Sequence, residues 1–194
     1  MSRAETQWDK ADISYRNYLD YIDTKKDKFE LTLIDLLFVR NFKGGNASIN
    51  EGGSSVNKKL ARYSELLREI DSKLGTKTLQ ELAREELTWL KDKARSFVCL
   101  TLDDETAIDG FKVGNASALL HFFFPELVPI LDRRVLNGAC IEAKLTKEGQ
   151  VIDIEKYYPA LVQNFYDHLR NHPSKSLRDY DRECFVKPIR GHKE

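Results

Sequence analysis

The chain has too few cysteines, and too widely spaced, to be stapled by them. Cys99, Cys140 and Cys184 are its only three in 194 residues. An odd count without a CxxC pair argues against a disulfide framework or a zinc knuckle, and a reducing cytoplasm is the natural compartment. Net charge is also lacking: Lys+Arg and Asp+Glu each number 31. That balance argues against a protein that coats nucleic acid or anionic membrane by bulk charge, while allowing a local basic patch. No apolar run approaches the ~20 residues that span a bilayer. Residues 1–10 are polar, with none of the apolar core of a signal peptide. Walker loops, dinucleotide fingerprints and structural repeats are likewise missing.

What is present is an ordinary globular balance, 41% hydrophobic and 32% charged. The length suits one domain, 1–194. Apolar residues recur at helical spacing through most of it. Trp8, Ala11, Tyr15, Tyr18 and Ile22 form one helix face, and residues 29–39 read as a central buried helix. Val56 to Leu74 is amphipathic, with Gly75 where a C-terminal cap belongs. Thr78-Leu-Gln-Glu81 is a capping box that predicts a helix reaching Phe97. A short buried helix is expected over 115–124, stopped by Pro125, and another from near Asp132. Two more cover 158–169 and 177–185, and residues 187–194 read as a mobile tail. Residues 139–154 alternate and carry Lys147-Glu-Gly149, consistent with one small β-hairpin. The expectation is an all-α domain of about eight helices with at most that hairpin.

Chemistry concentrates in residues 110–139. Val113-Gly114-Asn115-Ala116-Ser117-Ala118 precedes an apolar helix, and Pro129 precedes Asp132-Arg133-Arg134-Val135. This pattern resembles the helix-hairpin-helix DNA glycosylases, whose hairpin reads roughly Pro-Gly-Val-Gly and whose catalytic element reads roughly Val-Asp-x-x-Val. The likeness covers about 30 of the 194 residues. It implies a DNA-binding protein and a monofunctional glycosylase acting on a damaged or modified base. Asp132 would be the catalytic carboxylate that activates water or steadies an oxocarbenium-like transition state. Lys112, Gly114 and Asn115 would hold a phosphate at a helix start, and Arg133 and Arg134 would lie nearby on the backbone. Lys112 stands where the first hairpin glycine belongs, and Ala116 falls on the Schiff-base lysine position of bifunctional members. A lyase step is therefore not expected. The four cysteines of the iron–sulfur relatives are absent, so neither a metal nor another cofactor is expected. Taken without the resemblance, Asp132 reads as a helix N-cap after Pro129, and Gly114 as a turn glycine.

The same aspartate fits a second pattern. Asp132 with Glu142 and Lys144 has the D…ExK spacing of PD-(D/E)xK nucleases, which hold Mg²⁺ between carboxylates. The loop that follows Val39 continues to Ser55 and holds four glycines. Its Arg40, Lys43, Gly44, Gly45 and Asn46 combine cations, amides and glycines suited to gripping a phosphate or an extruded base. The plain alternative is a surface connection. His168 and His172 have metal-ligand spacing but no evident third ligand. The competing functional class is a non-catalytic protein-interaction or nucleic-acid-binding module of the toxin or defence type. The expected partners are DNA, held weakly through its backbone, and a protein in the competing case.

Overall fold

The computed structural model describes residues 2–44, 48–75 and 77–188. Within them the chain is all-α, with eight α-helices: α1 (Arg3–Thr24), α2 (Leu33–Phe42), α3 (Gly53–Leu74), α4 (Arg84–Cys99), α5 (Val113–Phe123), α6 (Arg133–Gly138), α7 (Tyr158–Asn171) and α8 (Leu177–Val186). One contiguous core runs from Tyr15 to Cys184, with α5 buried at its centre. No described helix is long and apolar enough to cross a membrane.

The expected hairpin forms. Leu145 and Val151 make an isolated antiparallel bridge, and Thr146 N–H donates to Gln150 O at 2.8 Å. Three expectations need correcting. Residues 29–32 lie outside α2, because Asp35 accepts from Thr32 N–H at 2.7 Å and so starts the helix at Leu33. The helix is not buried all round: Ile34 and Leu37 are about half exposed. Thr78 precedes only a single 3₁₀ turn, Leu79–Glu81, in which Glu81 accepts from Thr78 N–H at 2.8 Å while the Thr78 hydroxyl has no hydrogen-bond partner. The chain breaks there, and α4 restarts at Arg84 with Glu86 accepting from Ala83 N–H at 3.0 Å. The start of the tail is tied down: Lys187 donates to Gly138 O at 2.9 Å, and Pro188 O accepts from Asn137 at 3.2 Å. Residues 189–194 lie outside the described residues.

Two contacts set the geometry that matters for function. Gly138 ends α6 against α8, and a Cβ there would sit 2.0 Å from Cys184 O. Only glycine lets the two backbones approach so closely. Gly110, with φ +86°, turns the chain into α5, and a Cβ there would meet Ser48 O at 1.8 Å.

Candidate active site

Asp132 stands at the end of an extended segment whose backbone is pinned by three buried side chains. His121 donates from Nδ1 to Val128 O at 2.7 Å. Burial, and after it the nearby Arg178 charge, drives the His121 imidazole down to about 3. It is therefore neutral, and its other nitrogen accepts the Tyr15 hydroxyl at 3.4 Å. Tyr158 donates to Pro129 O at 2.9 Å. Ser117 Oγ accepts from Leu131 N–H at 3.0 Å. The sequence locks this stretch because its backbone polar groups are buried and must be satisfied.

From there Asp132 caps α6, with Oδ1 accepting from Arg134 N–H at 2.8 Å. Its other oxygen, Oδ2, accepts from Lys43 Nζ at 2.8 Å, and its side chain is 26% exposed. Burial alone would raise this carboxyl. The Lys43 ammonium and the Arg134 N–H outweigh it and hold Asp132 below the ordinary carboxylate range. The side chain thus serves as an N-cap and still faces solvent.

What it faces is a concavity of about 650 Å³ bounded by α1, the end of α2, α6 and α8. Asn41, Lys43 and Gly44 line one side, with Arg133 and Arg134 beside Asp132. The α8 wall supplies Arg178, Asp181 and Phe185. Arg178 is clamped over Trp8 at 3.9 Å and Tyr15 at 4.3 Å. Arg134 lies over Phe185 at 5.3 Å, while Arg133 donates to Gly149 O in the small hairpin at 2.5 Å. Counting Lys10, five cations and two carboxylates among the described residues line the cleft, so it favours an anionic ligand with an apolar part. A second concavity, about 580 Å³ between α4 and α7, contains none of the sequence-derived candidates.

Five of those candidates therefore meet in one cleft: Lys43, Gly44, Asp132, Arg133 and Arg134. Four others do not line it. Arg40 is committed to Gly110 O at 2.8 Å and anchors the turn before α5. Lys112 is the exposed N-cap of α5, Gly114 lies in the first turn of that helix, and Asn115 is buried with no hydrogen-bond partner for its amide nitrogen. Gly110, not Gly114, carries the positive φ of the turn. Gly45 and Asn46 lie outside the described residues.

The D…ExK pattern loses its support here. Glu142 and Lys144 are exposed and do not line the cleft, and among the described residues no sheet exists to carry the motif. His168 stacks on Tyr180 at 3.6 Å, and no described group of three His, Cys, Asp or Glu converges for a metal. Sequence reasoning missed Arg178 and Asp181. Their signal was a charged pair three apart on a helix whose Leu177, Tyr180 and Cys184 are buried.

Comparisons with protein-family models, with curated proteins and with solved structures return no match for this chain.

Proposed function

We propose that the protein holds DNA weakly through its backbone and hydrolyses the N-glycosidic bond of a modified base extruded into the Asp132 cleft. The observation that carries this reading is the setting of Asp132: an ionised, part-exposed carboxylate in a cationic concavity with aromatic walls. A base that does its chemistry outside the stack needs a pocket of that kind, with apolar faces for the ring and a carboxylate at the sugar. The volume is within the range of small-ligand sites. Lys43, Arg134 and Arg178 suit the flanking phosphates. Asp132 would accept a proton from the attacking water and offset the positive charge that develops at the anomeric carbon.

Lys112 and the start of α5 are the second contact in this reading. Lys112 is exposed at the cap of α5, and the partial positive charge of a helix N-terminus suits a phosphate there. A cytoplasmic setting, with thiols kept reduced, belongs to the same proposal.

The Lys43–Asp132 ion pair gives the non-catalytic module its one specific support, because it satisfies the carboxylate without any ligand. Electrophoretic shifts of duplex DNA at rising salt separate the two. The glycosylase reading expects salt-sensitive binding that weakens for Lys112→Glu and for Lys43→Glu. No shift even at low salt sinks it in favour of a protein-interaction module.

A further inference from the structure

Asp132 shares its cleft with a second carboxyl. Asp181, on α8, lines the same concavity with a side chain only 1% exposed. Arg178, one turn earlier, donates to Asp181 Oδ2 at 3.2 Å, while Oδ1 has no hydrogen-bond partner. A buried carboxylate with a bare oxygen is costly. A carboxylic acid in that place carries a donor suited to an acceptor entering the cleft. The charged groups acting on Asp181 are Arg178 on its own helix, Asp132 at the start of α6 and Lys43 after α2. Burial raises the carboxyl most and Asp132 adds to it; Arg178 and Lys43 oppose, leaving it at about 7. Two carboxyls in one cleft are thus pushed apart, one ionised and one proton-bearing near neutrality, which is the pattern of an acid–base division of labour.

We infer that Asp181 is the proton donor of the cleft, and that the base it expels is a purine that is neutral when bound rather than a cationic alkylated one. The inference rests on the glycosidic reading above and deepens it. As the bond from the anomeric carbon to the base nitrogen breaks, its electron pair leaves with the base. The Asp181 O–H gives its proton to a basic ring nitrogen, so the base departs uncharged. Water adds to the anomeric carbon, and its proton passes to the Asp132 carboxylate. Exchange with solvent then returns Asp132 to its ionised form and Asp181 to its protonated one. A purine has a ring nitrogen able to take that proton. An N7-methylated purine already carries the positive charge, needs no donor, and is opposed by Lys43, Arg134 and Arg178.

The test compares wild type, Asp181→Asn and Asp132→Asn on duplexes carrying hypoxanthine or N7-methylguanine, all in EDTA. Wild type is expected to release hypoxanthine, with a rate that declines as pH rises through about 7. Asp181→Asn is expected to lose about 10²–10⁴-fold of that release, the usual worth of a positioned acid. It should also lose the alkaline decline, yet bind the duplex as wild type does. Any slow N7-methylguanine release should survive in Asp181→Asn and vanish in Asp132→Asn. If Asp181→Asn is too unstable to assay, ¹³C NMR titration of the wild-type Asp181 carboxyl decides, an ordinary carboxylate midpoint overturning the proton donor. Hypoxanthine release by Asp181→Asn at the wild-type rate and pH profile overturns the proton donor and leaves the Asp132 reading standing. Release of N7-methylguanine alone overturns the substrate class. No base release by wild type overturns both readings together.

Discussion

Lys43 Nζ donates to Asp132 Oδ2 at 2.8 Å, joining positions 89 residues apart in sequence. The pair ties the end of α2 to the cap of α6 and keeps the carboxylate ionised in a setting where burial works against it. Lys43 lowers the Asp132 carboxyl, so Lys43→Met should raise it. The acid limb of the base-release pH profile then moves to higher pH, which a rate profile of the variant checks. Stability should change little, by ~0–1 kcal/mol, because both side chains are part-exposed and a pair in contact with solvent is weak. Thermal melts with a large loss would instead mark the pair as structural.

Gly138→Ala should be disproportionately harmful for a change of one methyl group. The added Cβ would lie 2.0 Å from Cys184 O, a backbone atom that cannot step aside. Overpacking of this kind costs about 1–3 kcal/mol or more. Because α6 and α8 would be pushed apart, the Asp132 and Asp181 walls of the cleft separate as well. Urea melts should show the lost stability. Substitution without such loss would contradict the tight α6–α8 approach.

Much of this arrangement was legible in the sequence, and the illegible parts have physical reasons. The helices with strong apolar periodicity, such as Val56–Leu74 and Tyr158–Leu169, appear where the spacing places them, because a buried face dominates their energetics. The plain reading of Asp132 as a helix N-cap after Pro129 is what forms. Capping residues misled at Thr78, where only Glu81 closes back on the Thr78 N–H and the turn stays a single 3₁₀ turn. The Arg178–Asp181 wall was invisible because α8 is more than 40 residues beyond Asp132. The close approach of Gly138 to Cys184 brings the two together, and no local pattern encodes a meeting of that range.

Asp181 also makes a prediction about stability against pH. Its folded-state value, about 7, lies above that of an unfolded aspartate, ~4. Between those values the folded chain binds the extra proton, so stability falls as pH rises through the window and the loss is complete above the folded value. Asn is the uncharged analogue. Asp181→Asn should therefore gain stability relative to wild type between pH 5 and pH 8, as read by thermal melts at the two values. A gap that stays constant with pH would mean that Asp181 titrates normally.

Ala116 is fully buried in α5, and in the proposed glycosidic reading it falls where bifunctional glycosylases would carry their Schiff-base lysine. Base release should thus leave intact abasic sites, with no strand nick and no covalent adduct trapped by borohydride. Trapping of DNA on the protein would show that another amine, Lys43 and Lys10 being the candidates in the cleft, forms an imine.

The most direct test of Asp132 as the catalytic carboxylate is release of free base from duplexes carrying modified purines, measured in EDTA with wild type and Asp132→Asn. Asparagine caps a helix about as well as aspartate, so the variant should keep its fold while losing its charge. Wild type should generate alkali-labile abasic sites without metal, and Asp132→Asn should lose about 10²–10⁴-fold of that rate. Release undiminished in Asp132→Asn, or strand cleavage that appears only when Mg²⁺ is supplied, would contradict the assignment.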